Sequence, residues 1–158
     1  MRASNILILL WSLPIAISLH VFEEFAFPGG LREWIKAYKP KRLKSNFYYF
    51  IVNAAAIVVA SIIALTANGS LGFRLFLYSV ALMGGNGASH IRGAIQKKQY
   101  CPGTISACVL LLPLLVVSCW YFLKAGLVGL PRAVVFVGAG AFIGFYVFSV
   151  DIRKQDRN

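Results

Sequence analysis

Ser18-Leu19-His20-Val21-Phe22-Glu23-Glu24-Phe25 sets a histidine and two carboxylates inside a run that is otherwise apolar. No charged residue occurs between Asn5 and Ile17, and the apolar character continues to Phe27. At 1.5 Å per residue, such a helix crosses a hydrocarbon core of about 30 Å. Ionisable groups in a bilayer are costly, so their presence there marks a site. Residues three and four apart share a helix face, which lets His20 stand above both Glu23 and Glu24.

Composition agrees with a membrane setting. Of 158 residues, 59% are hydrophobic and only 13% charged, and the mean hydropathy is +0.73, far from soluble averages. The acids are Glu23, Glu24, Glu33, Asp151 and Asp156, against sixteen basic residues and a net charge of +11. The basic residues lie between apolar runs, as topology determinants and anionic-lipid contacts do, and this excludes a nucleic-acid partner. Cys101, Cys108 and Cys119 fit neither a disulfide framework nor a zinc pattern and read as small apolar fillers.

The fold expected is all-α, a single domain over 1–158 with five transmembrane helices at about 5–27, 47–66, 71–95, 104–123 and 131–150. Pro14 is a candidate kink, and Pro28-Gly29-Gly30 ends the first span. A cleaved signal peptide is rejected because the apolar run continues past Ser18 and the next loop is too basic for easy export. That loop, Leu31 to Asn46, interleaves Arg32, Lys36, Lys39, Lys41, Arg42 and Lys44 with Trp34, Ile35 and Tyr38, as an interfacial helix or topology anchor would. Gly140 and Gly144 carry the four-residue spacing that lets membrane helices approach closely.

Twelve basic residues fall on one side of these spans: six in the first loop, then Arg92, Lys97 and Lys98, then Arg153, Lys154 and Arg157. Only Arg2, Arg74, Lys124 and Arg132 fall on the other. The positive-inside rule therefore predicts a multi-pass protein of the inner (cytoplasmic) membrane, N-terminus outside and C-terminus in the cytoplasm. On that topology His20, Glu23, Glu24, Asn86 and His90, with Asn53 nearby, share one layer near the cytoplasmic leaflet. Asn86 and His90 share a face, and Gly84, Gly85, Gly87 and Ala88 remove bulk around them, for a ligand, for the first helix or for helix packing.

The blocks His20-Val21-Phe22-Glu23-Glu24, Asn86-Gly87-Ala88-Ser89-His90 and Tyr100-Cys101-Pro102-Gly103 together resemble the small bacterial integral membrane proteins with an HXXEE motif. That family has no assigned function, so the resemblance implies the site and topology more than a reaction.

From the residues themselves, the expected function is a membrane-embedded acid/base enzyme acting on an isoprenoid, sterol-like, quinone or acyl lipid. Two neighbouring carboxylates in low dielectric cannot both ionise cheaply, and with His20 and His90 they would supply an acid and a base. Protonation leading to isomerisation or cyclisation is its simplest form, with Asn86 orienting a polar group. Trp11, Phe22, Phe25 and Phe27 either line the pocket or face lipid. Asn53, Arg32, Arg92 and Tyr100 are candidate substrate contacts, the arginines for a phosphate or carboxylate head.

The alternative is a metal-dependent membrane hydrolase, in which His20, Glu23 or Glu24 and His90 bind zinc or iron. Non-enzymatic readings are a proton or cation pathway, formed across a homodimer, an accessory subunit, or a buried network that only fixes packing.

Overall fold

The computed structural model describes residues 3–26, 30–38 and 44–149. Arg2, Phe27, Pro28, Gly29, Lys39, Lys41, Arg42, Asp151, Asp156 and the basic residues of the tail lie outside them. The described residues are all-helical: α1 (Ala3–Ala26), α2 (Gly30–Tyr38), α3 (Asn46–Thr66), α4 (Gly69–Lys97), α5 (Thr104–Lys124) and α6 (Leu130–Ser149).

On α1, Leu9, Leu10, Leu13, Ala16, Ile17, His20 and Glu24 recur at three- and four-residue steps and are buried. Ile8, Ile15, Leu19 and Phe22 occupy the opposite face and are exposed. The same inversion holds elsewhere, with Leu65 71% and Phe142 67% exposed, so the outer surface suits hydrocarbon better than water. Segments Asn5–Ala26, Asn46–Thr66, Thr104–Lys124 and Leu130–Val147 are each long and apolar enough to cross a membrane.

The longest helix, α4, has 29 residues and is buried along its length, from Phe73 to Gly93. Its Gly84–His90 stretch makes it less apolar than the other four. α6 packs against it backbone to backbone. A β-carbon on Gly85 would strike the Ala141 carbonyl, one on Gly140 that of Tyr78, and one on Gly144 that of Leu82. Gly84 meets Leu115 and Gly87 meets Ala107, both on α5. The glycines around Asn86 therefore bring α5 and α6 close, not α1.

α5 opens with one α-turn, widens into a π-turn at Ala107–Leu111 with the Leu112 amide bonded to the Ala107 carbonyl, then continues as α-helix. The widened turn lies just before Pro113, which cannot donate a hydrogen bond and whose ring crowds the carbonyl four residues back. α2, the candidate interfacial helix, folds against the end of α4. Its buried Trp34 packs on Gly93, where a β-carbon would stand 3.0 Å from the ring.

Candidate metal centre

Each helix delivers its polar residue by ordinary periodicity. His20 and Glu24 sit one turn apart on the buried face of α1, and Asn86 and His90 one turn apart on α4. All four side chains are at most 6% exposed. Glu24 is their meeting point: its Oε1 lies 3.5 Å from His20 Nε2 and 3.2 Å from His90 Nε2. Its Oε2 accepts a 3.2 Å hydrogen bond from Asn53 Nδ2 of α3. The imidazoles stand edge to face, with centroids 5.1 Å apart.

Each outer ring nitrogen has a neighbour of its own. Ser106 Oγ donates to the Gly103 carbonyl at 3.3 Å and stands 2.7 Å from His20 Nδ1. Cys101 Sγ donates weakly to the Pro102 carbonyl at 3.8 Å and stands 3.5 Å from His90 Nδ1. With the proton on Nδ1, each Nε2 would turn a lone pair towards Glu24 Oε1; with it on Nε2, each ring would donate to that oxygen. His20, Glu24 and His90 also meet the distance requirement for joint metal ligation. Donors about 2.0–2.2 Å from a tetrahedral zinc ion stand about 3.3–3.6 Å apart, the scale of the two contacts seen here.

Asn86 extends the cluster. Its Nδ2 is 3.4 Å from His20 Nε2, and its buried Oδ1 has no hydrogen-bond partner among the described residues.

Glu23 points elsewhere. Its Oε1 accepts from the Gly103 and Ile105 amides, both at 3.0 Å, and from the Tyr100 hydroxyl, while Oε2 accepts from the Ser106 amide at 2.7 Å. A carboxylate so placed caps the start of α5, where free N–H groups and the helix dipole favour negative charge. The two glutamates thus do not form the shared pair that their adjacency suggests, because consecutive helical residues diverge by about 100°.

The candidate substrate contacts separate. Asn53 bonds Glu24, and Tyr100 bonds Glu23. Burial and that bond hold the Tyr100 phenol above its ordinary pKa. Arg32 and Glu24 both line a cleft of about 630 Å3 between α1, α2 and α3. Arg92 lies apart, its guanidinium 5.5 Å from the Phe145 ring centre on α6. Of the aromatic candidates, Phe25 lines that cleft, whereas Phe22 is 69% exposed on the outer face.

Three contributors come from the turn before α5 and its first residues. Cys101, read as an apolar filler, is instead a neighbour of His90, and Ser106 of His20. Gly103, at φ +94°, lies over both rings. The signal for them is Pro102-Gly103 directly ahead of an apolar helix, a turn that must lie close to the site layer.

The architecture defines a helical membrane protein with a buried histidine and glutamate centre. The chain belongs to the family described as proteins of unknown function with an HXXEE motif, whose model matches residues 11–118 of the 158. No curated protein and no solved structure matches it.

Proposed function

We propose that this protein is a metal-dependent membrane enzyme, with His20, Glu24 and His90 as ligands to zinc or ferrous iron and a lipophilic substrate. The observation that carries this reading is the convergence of two histidine Nε2 atoms on Glu24 Oε1, at 3.5 and 3.2 Å, while Ser106 and Cys101 neighbour the outer nitrogens. Two histidines and one carboxylate with an open position are the ligand set of hydrolytic zinc sites and of some iron sites, and partners of this kind orient the rings. Such an ion acts as a Lewis acid and generates hydroxide from bound water near neutral pH. Asn86, with its free acceptor, would orient a bound water or substrate group, and Glu23 and Tyr100 would position the turn that covers the rings.

In this reading α4 is a fifth span, since 29 residues of helix reach about 43 Å. The charge asymmetry favours an N-terminus outside, with the centre near the cytoplasmic leaflet. Isomerisation or cyclisation by a shared carboxylate pair has less support, because four donors occupy Glu23. A transmembrane ion path is disfavoured by the apolar packing of Leu9, Leu10, Leu13 and Ile17 on the α1 turns before His20.

Elemental analysis of detergent-purified protein tests the proposal. Near-stoichiometric zinc or iron in the native chain, lost in Glu24→Gln while the folded elution profile is kept, is the expected result. Protein without transition metal after purification free of chelators, and unable to take it up on titration, would refute it.

A further inference from the structure

Glu24 belongs to two places at once. Through Oε1 and Oε2 it is the hub of the buried cluster, and it also lines the cleft between α1, α2 and α3. The cleft therefore leads from the surface of the bundle to the site. Phe25, Phe47 and Phe50, which are 49%, 72% and 61% exposed, supply its apolar wall. Arg32 and Glu33 also line it, paired through Nη1 at 3.1 Å, while the Arg32 Nε is buried with no hydrogen-bond partner among the described residues. From Gly30 to Asn46 the sequence carries six basic residues and a single acid. Apolar walls beside a guanidinium with an unused donor, in a stretch of sequence rich in basic residues, are complementary to one kind of molecule.

We infer that this cleft is the entrance for an amphiphile with an anionic head, drawn sideways from the leaflet so that its head meets Arg32 and its chain lies along Phe25, Phe47 and Phe50. The inference deepens the proposed function and rests on it for what happens to the head group at Glu24. Binding itself does not need the metal. Arg92, turned towards Phe145, takes no part.

The test is equilibrium binding to the full chain in nanodiscs of neutral lipid, with dodecyl phosphate and dodecanol as probes, inorganic phosphate as competitor, and metal content measured on the same samples. Dodecyl phosphate is expected to bind at least tenfold more tightly than dodecanol. Arg32→Gln should reduce that preference to below threefold with metal content unchanged, and Phe50→Trp, which fills the cleft, should weaken both probes. Equal binding of the two probes, a preference that survives Arg32→Gln, or displacement by equimolar inorganic phosphate would each overturn the inference. Metal-free protein that keeps the preference would sink the metal centre and leave the entrance standing. Metal-loaded protein without the preference would do the reverse.

Discussion

Gly103 lies against the imidazole of His20 so closely that a β-carbon there would stand 2.7 Å from the ring's Cε1. The same carbon would be 2.9 Å from His90 Nδ1, and the backbone, at φ +94°, is one that side chains rarely adopt. Gly103→Ala is therefore expected to push both rings apart and to cost at least about 2 kcal/mol of stability. Metal titration and thermal unfolding in detergent should show weaker binding together with a lower midpoint. Unchanged values for both would mean that the turn does not cover the rings.

The two glutamates should fail differently. Glu23→Gln keeps one acceptor oxygen but loses the charge facing the first amides of α5, a change expected to cost about 2–4 kcal/mol. Glu24→Gln should abolish metal uptake and lower the midpoint only by what bound metal contributes, so that it melts close to the metal-stripped native chain. Thermal melts read beside elemental analysis separate the two; identical behaviour would contradict the division of roles.

Ser106→Ala removes the acceptor at His20 Nδ1, and Asn53→Ala removes the donor to Glu24 Oε2. Loss of an outer partner of this kind lowers metal affinity by about 10- to 100-fold. Competition with a chelator of known affinity measures it, and full occupancy in both variants under that competition would argue against these two as ligand supports.

Tyr100 gives a pH prediction. Its phenol is held above the ordinary tyrosine value by burial and by the bond to Glu23, so the folded state favours the protonated form. The stabilisation should be fully present below about pH 10, the unfolded value, and be lost as pH rises towards the higher folded one. Melting at a series of alkaline pH values, with Tyr100→Phe as reference, should show the difference between the proteins shrinking above about pH 10.

Gly144→Val should detach α6, since even a β-carbon there meets the Leu82 carbonyl. A cost of several kcal/mol is expected, about the upper range for overpacking a well-filled contact. Protease accessibility of the segment after α5 reports it, and unchanged protection would show that α6 is held by something other than this backbone contact.

Much of this was legible in the sequence because helix periodicity is local. His20 with Glu24, and Asn86 with His90, are each separated by four residues, and the charge pattern predicts a common depth for the two pairs. The sequence predicts a helix over about 71–95, and α4 runs from Gly69 to Lys97. What was not legible is set by contacts between distant segments. Adjacency suggested that Glu23 and Glu24 act together, and only the arrival of the Gly103–Ser106 backbone reveals that one is held by amides. The importance of Cys101 and Ser106 depends on where the turn before α5 lands, which no periodicity encodes. Arg92 lies two residues beyond His90, on a different face of the same helix, and that much the sequence could have told.

The cap on Glu23 also constrains how the molecule is made. Its partner amide on Ser106 lies 83 residues further along the chain, so α1 leaves the ribosome long before the amides that satisfy Glu23 exist. A nascent chain stalled ahead of Gly103 would hold Glu23 without its three amide donors at the lipid boundary, and its first helix would need shelter by the insertion machinery until α5 arrived.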